Sequence, residues 1–212
     1  ETLATGDRRM VRTDPDGARS SDWNQLNGSI TNEYPDGSVQ TIWQGPDPRF
    51  GMQAPMSAIT VMRLPSGLAS TTLVERTAVC SNGLVTGLAG LTNMLIRNGQ
   101  TNLSVYSAQE RRLTMTSPEG RIHIAWLDAQ GRIIGFQIPG QTVITNVYNA
   151  QGRQTLMQAG NRRTEWMHDL DGNVSEVVNA LGWTNRLAYD EANRITSAMD
   201  ANGAQTDYSR DE

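Results

Sequence analysis

The stretch Leu187–Tyr208, LAYDEANRITSAMDANGAQTDY, places Tyr189 and Tyr208 19 positions apart, with a DANG turn signal between them. Working outward, the same unit recurs upstream. YSAQER at Tyr106, LDAQGR at Leu127, YNAQGR at Tyr148, HDLDGN at His168, YDEANR at Tyr189 and YSRDE at Tyr208 align without gaps, at intervals of 21, 21, 20, 21 and 19. A sustained period of this size is the mark of a repeat architecture, in which each unit is one supersecondary element stabilised by its neighbours.

The repeated element is a turn. Asp128, Asn149, Asp169 and Asp190 stand at its first position, where the side chain can bond backbone groups two residues on. Gly131, Gly152 and Gly172 occupy the fourth, where a type I turn followed by a left-handed residue needs positive φ, and Asn193 takes that place in the YDEANR unit. The residue after it is Arg132, Arg153 or Arg194 in three of the units, and these arginines are expected to pair with neighbouring acids or cover apolar rungs. Glu110 breaks the rule in the Tyr106 unit, so that turn is expected to be of another type. A second series, ending at Gly120, Gly182 and Gly203, falls between the first. Two turns per period leave two strands of about six residues each. The repeat is therefore a β-hairpin, chained head to tail.

Alternation supports strands, with thin faces. In RIHIAWLD, Ile122, Ile124 and Trp126 oppose Arg121, His123, Ala125 and Leu127, while in RRTEWMHD neither alternate set is wholly apolar. Such a sheet is expected to act as a wall between two aqueous spaces rather than as half of a sandwich. The first hundred residues share the style without the period, which divides the chain into 1–100, irregular hairpins, and 101–212, regular repeats. Asn98-Gly99 joins two alternating stretches and predicts a tight hairpin. GPDPRFGMQAPM, 45–56, carries three prolines and is expected to be a loop crossing an edge or surface of the sheet.

Composition agrees. Only 37% of residues are apolar and 6% aromatic, against 20 Gly and 8 Pro, a balance that favours short strands and many turns. A net charge of −4 and the absence of a basic patch argue against nucleic acid. LVTGLAGL at 84–91 is far shorter than a membrane-spanning helix requires, and the single Cys80 supports neither an internal disulfide nor a cysteine-rich zinc site. The opening ETLATGDRRM has neither an initiator Met nor the pattern of a signal peptide, and reads as part of a longer chain.

Chemistry is sparse. His123 and His168 lie 45 residues apart, and His168 fills the tyrosine position of its repeat, a packing slot rather than a base. No nucleophile elbow, P-loop, dinucleotide fingerprint or HExxH occurs, so no catalytic residue, cofactor or metal is expected. Asp169, Asp171 and Asn173 resemble the start of a calcium loop, but the repeat's own turn grammar explains them. Trp126, Trp166 and Trp183 are the candidate glycan contacts, because an exposed ring beside Asp, Asn or Arg can stack on a sugar. Packing between successive repeats is the competing role for the same rings.

With the units aligned, the sequence resembles the RHS or YD-repeat family. The residues that carry the likeness are Tyr189-Asp190 with Asn193-Arg194, the DAQGR and NAQGR segments with Arg132 and Arg153, the intervening NALGWT and DANGAQTDY, and more loosely TSPEGR and RLPSGLASTT. The specific match covers about residues 100 to 212. The resemblance implies an all-β strip of antiparallel hairpins, curving or spiralling as part of a hollow shell, of about 16 to 18 strands. It implies a non-enzymatic wall segment of a larger secreted or surface protein of bacterial type, whose partners are the rest of that protein and an enclosed C-terminal toxin-like polypeptide. The alternative it leaves open is an extracellular adhesion module that binds a glycan or a protein. Toxin shells of the family cleave themselves in a C-terminal segment rich in Asp-Pro motifs. Nothing after Tyr208 matches that segment, so no cleavage aspartates are carried over.

Overall fold

The computed structural model describes residues 2–209. It is all-β: eighteen antiparallel strands, a 3-10 turn at Ser81–Gly83 and, among the described residues, no α-helix. Of the last repeat unit, residues 210–212 lie outside the described residues.

Contacts divide the chain into two compact units, Glu1–Ile122 and His123–Glu212. The first contains β1 (Arg8–Thr13), β2 (Arg19–Asn24), β3 (Ser29–Glu33), β4 (Val39–Asp47), β5 (Gly51–Arg63), β6 (Ala69–Cys80), β7 (Leu88–Arg97), β8 (Gln100–Ser107) and β9 (Arg112–Thr116). The second is built from β10 (Ile122–Leu127), β11 (Ile133–Gln137), β12 (Ile144–Tyr148), β13 (Gln154–Ala159), β14 (Arg162–His168), β15 (Val174–Val178), β16 (Thr184–Tyr189), β17 (Ile195–Met199) and β18 (Gln205–Asp207). Within each unit every strand pairs with the next in sequence, which makes two uninterrupted antiparallel meanders.

One turn chemistry generates most of the hairpins. The first residue's N–H bonds to the carbonyl of the fifth, and the fourth residue's N–H to the carbonyl of the first, as in Asp128 N to Arg132 O at 2.9 Å and Gly131 N to Asp128 O at 3.1 Å. The same pair of bonds closes the turns at 14–18, 34–38, 64–68, 149–153, 190–194 and 200–204. This is a type I turn followed by a left-handed bulge residue, whose twist matches that of the flanking strands. Asn98 and Gly99, at φ of 50° and 83°, instead make a two-residue turn that sets Arg97 opposite Gln100.

The proline-containing segment 45–56 is not a loop. β4 runs to Asp47 and β5 starts at Gly51, with Gly45 opposite Met56 and Asp47 opposite Gly51. The prolines are accommodated because the hairpin breaks register here: the shifts at Trp43/Gln44 and Gly45/Asp47 leave Pro46 and Pro55 without ladder partners, so their missing N–H groups cost nothing. β3 stops pairing with β4 at Trp43, and β6 stops pairing with β5 at Leu73, so the tip projects beyond its neighbours.

Neither unit has a core of the kind two packed layers make. Among the described residues the one buried apolar side chain is Ala125, while Ser21, Ser29, Ser38 and Asp47 are buried polar residues. Most strand residues are half-buried, covered by cross-strand neighbours rather than by a second layer.

Candidate functional site

The repeated positions of the second unit meet in a column of interlocked turns. Asp128 Oδ1 accepts the N–H groups of Gln130 and Arg132, both at 2.9 Å, and its Oδ2 accepts Arg132 Nε at 2.6 Å. Asp190 repeats this, with Ala192 N and Arg194 N at 2.9 Å and Arg194 Nε at 2.7 Å. Asn149 makes the two backbone bonds, to Gln151 N at 3.1 Å and Arg153 N at 2.9 Å. Asp169 takes Gly172 N, Asn173 N and Asn173 Nδ2 at 2.7, 2.8 and 3.2 Å. Each carboxylate is thereby aimed into its own turn.

The acidities follow. Burial alone would push Asp128 up, but the Arg132 N–H and guanidinium, with the Gln130 N–H, hold it below the ordinary aspartate value. Asp169 is lowered in the same way by Asn173 and Gly172, against burial. Asp190 is lowered chiefly by the Arg194 N–H.

Successive turns then reach one another. The guanidinium of Arg132 lies 4.6 Å from the Tyr148 ring centroid, one repeat on, and beside Gly152, where an added Cβ would stand 3.1 Å from Nη1. Arg153 crosses the next turn, donating to Asp169 O at 3.4 Å and Asp171 O at 3.3 Å, and occupies the space a Cβ on Gly172 would need. Asn173 holds the arginine position in its turn, and its Nδ2 donates to Asn193 Oδ1 at 2.6 Å. In each step the residue after one turn's left-handed position contacts the left-handed position of the next. The backbone carbonyls of Asp169 and Asp171 thus accept from an arginine, and among the described residues no group of three acidic, His or Cys side chains is placed to hold a metal.

The tyrosines close the junctions between hairpins. Ladder register shifts by one residue at Val147/Tyr148, Met167/His168 and Ala188/Tyr189, and a bulge re-aims the side chain at that position. Tyr148 Oη donates to Ile133 O and Tyr189 Oη to Val174 O, each at 2.9 Å and each across 15 residues to the first strand residue after the preceding turn. At Ile133 the β11–β12 ladder has already ended, at Gly135 opposite Thr145, and Asn146 Nδ2 supplies a second donor at 3.0 Å. His168 sits in the same slot without a hydroxyl, and its Nδ1 is buried with no partner.

The other expected positions lie elsewhere. Tyr106 is on β8 in the first unit, between Leu91 and Leu113. The turn that follows is capped by Ser107 Oγ, which accepts the Glu110 N–H at 3.3 Å, and Arg111 adopts φ 46°. Gly203 closes the β17–β18 turn with φ 84°; Tyr208 is 49% exposed, its N–H on Thr196 O. The register puts Trp126 and Trp166 on opposite faces: Trp126 shares its face with Gly135, Gln158 and Arg163, whereas Trp166 lies opposite Val177 on the face of Thr164 and Met157. Trp183 stands at a turn, 59% exposed. His123 meets the edge of Phe136 at 6.1 Å between centroids. An apolar hollow of about 380 Å³, lined by Ile144, Met157, Ala159, Arg162, Thr164 and Leu181, contains none of the three tryptophans.

Sequence reasoning found the turns but not their reach. Nothing in the spacing says that an arginine crosses to the next turn, although the 20 to 21-residue recurrence of Gly and Arg was the available signal. A second network was invisible. Buried Asp47 accepts Arg49 N at 2.9 Å, Phe50 N at 3.3 Å and Arg76 Nη1 at 3.2 Å, and Arg76 Nε reaches Asn93 Oδ1 at 2.5 Å. These residues come from three strands and the β4–β5 turn, and no motif links them.

Residues 168–205 match the family model described as RHS Repeat. No curated protein matches the chain. Among solved structures, it is similar to TcdB2-TccC3-Cdc42, at 14% identity and a TM-score of 0.50, over 90% of this chain and 12% of that one. A Photorhabdus luminescens Tc holotoxin pore is matched over the same shares at 16% identity and a TM-score of 0.49. The chain thus spans 12% of the length of these neighbours, and the likeness to TcdB2-TccC3-Cdc42, at such identity, is one of fold alone. The chain thus carries an RHS Repeat at residues 168–205, and the same hairpin and turn chemistry recur upstream of that segment, as in the turns at 128–132 and 149–153.

Proposed function

We propose that this chain is a non-enzymatic segment of the wall of a hollow β-shell, in a larger secreted or surface RHS protein that encloses a C-terminal, toxin-like polypeptide. The observation that carries the reading is the single-layered sheet: strands pair only with their sequence neighbours in each unit, and Ala125 is the one buried apolar side chain among the described residues. A sheet with no second layer is suited to dividing two spaces. Its rigidity must come from within, and the turn column supplies it by tying each hairpin to the next through Arg132, Arg153, Asn173 and the tyrosine hydroxyls. The RHS Repeat match at residues 168–205 and the fold likeness to TcdB2-TccC3-Cdc42 support the shell-wall reading.

Limited proteolysis of the full-length parent, followed by size exclusion and mass analysis, tests this. A C-terminal polypeptide that co-elutes with the repeats and resists protease until they unfold is the expected result. A parent whose C-terminal region is digested at the same rate with the repeats folded or unfolded refutes the enclosure.

A further inference from the structure

The projecting β4–β5 hairpin leaves a fork in the first unit. The β5–β6 ladder ends at Ile59 opposite Leu73, although β6 continues to Cys80. Three features keep β5 from continuing: the register shift opposite Trp43, the missing N–H of Pro55, and the Asp47 carboxylate, which draws the hairpin tip to Arg76. Seven residues of β6, Val74–Cys80, therefore pair with β7 alone.

Which backbone groups this leaves bare follows from parity. Leu64 N bonds Leu68 O in the turn before β6, so along the antiparallel ladder Ser70 and Thr72 direct their N–H and C=O groups to β5. Asn98 N bonds Thr71 O, which directs the odd-numbered residues to β7. With no register shift before Val79, Arg76 and Ala78 turn both backbone groups to the vacant side. A row of bare N–H and C=O groups at strand spacing is matched only by another extended backbone.

We propose that this edge is a self-association surface, on which a second copy of the chain pairs its own β6 antiparallel about a two-fold axis at Thr77. In that register Arg76 lies opposite Ala78 of the second copy and Ala78 opposite its Arg76, and both are pairs in which every outward N–H and C=O is used. Glu75 faces Val79 of the second copy, and Thr77 faces its own counterpart, a favourable cross-strand pair. No like charges meet. Shifting the copy so that Arg76 faces Arg76 would set two guanidinium groups side by side. Glu75, Thr77 and Val79 are exposed, Val79 at 66%, so their face of β6 is uncovered, while Arg76 and Ala78 on the other face are half-buried.

Sedimentation equilibrium of the 212-residue chain, wild type against Ala78→Pro, tests the proposal. The Ala78 N–H points away from β7, so proline there leaves the β6–β7 ladder whole and blocks only the outer edge. The expected result is a concentration-dependent dimer that Ala78→Pro weakens at least about tenfold with far-UV circular dichroism unchanged. A second readout is independent of how well that variant folds. In a Cys80→Ser background, Thr77→Cys should cross-link to a dimer under copper-phenanthroline oxidation, because facing residues of a non-hydrogen-bonded pair lie within disulfide reach, whereas Glu75→Cys should not. A chain that stays monomeric at all concentrations overturns the proposal. So does a dimer that survives Ala78→Pro but is lost in Asp207→Pro, which would place the contact on β18.

Discussion

Removing one hydroxyl tests the junction between hairpins. Tyr189 Oη is part-buried and, among the described residues, is the one side-chain donor that reaches Val174 O, so Tyr189→Phe keeps the ring and leaves that carbonyl unmatched. The cost should be about 1–2 kcal/mol, a lost neutral hydrogen bond plus part of the desolvation of an unpaired acceptor. Tyr148→Phe should cost less, about 0.5 kcal/mol, because the Tyr148 bond is exposed, Asn146 Nδ2 still serves Ile133 O, and the Arg132 guanidinium still covers the ring. His168→Tyr runs the experiment backwards: it puts a hydroxyl in the slot whose preceding-repeat carbonyl belongs to Gln154, removes a buried unpartnered Nδ1, and should stabilise by about 0.5–1 kcal/mol. At about 2–4 °C per kcal/mol for a chain of this length, the four melts should fall in the order His168→Tyr, wild type, Tyr148→Phe and Tyr189→Phe, with Tyr148→Phe only slightly below wild type. Urea unfolding followed by far-UV circular dichroism gives the same order as midpoints, and because a repeat array need not unfold as one unit, slopes should be compared as well. Equal melts for Tyr189→Phe and wild type, together with a destabilised His168→Tyr, would show that the hydroxyls do not hold the hairpins together.

Other perturbations separate the remaining contacts. Gly172→Ala should cost more than Gly131→Ala in thermal unfolding: both demand a left-handed alanine, about 1–2 kcal/mol, but only at Gly172 would the methyl displace a guanidinium, that of Arg153. Gly135→Ala should perturb near-ultraviolet circular dichroism and destabilise by about 1–3 kcal/mol, because its Cβ would stand 2.9 Å from Trp126 Cε3 and force the indole off its seat. Asp47 is lowered by the Arg49 N–H first and by Arg76 and Phe50 as well, against burial, and Asp128, Asp169 and Asp190 are lowered too. A depressed folded value means stability that is full above the unfolded aspartate value near 4 and is lost as pH falls through the folded one, so melts should be flat from pH 7 to about 5 and drop below 4. Asp47→Asn should lower the neutral melt and flatten that acid slope; an unchanged slope in Asp47→Asn would remove Asp47 from the set.

The repeat was legible because its causes are local. An Asp or Asn and a Gly three residues on dictate a turn whatever surrounds them, so the hairpin unit, the two turn series and the all-β class could be read from DAQG, NAQG and DLDG. Reading the three prolines of 45–56 as a loop failed for an equally definite reason. Proline excludes a residue from a two-sided ladder but not from a hairpin whose bulges leave those positions unpaired, and no short-range pattern reports a bulge. The glycan candidates show the other limit: strand alternation assigns Trp126 and Trp166 to opposite faces only once the register of the ladders from β10 to β14 is known.

By itself, then, the sequence determined the hairpin, because its turn chemistry is confined to five consecutive positions, and the period, because that turn recurs every 20 to 21 residues. The tertiary structure decided what those residues do beyond their own turn. Arg153 lies on Gly172, Tyr189 reaches Val174 and Asp47 holds Arg76 only because bulges rotate side chains between strands and sheet register brings together residues 15 to 29 positions apart, distances over which sequence spacing carries no direction.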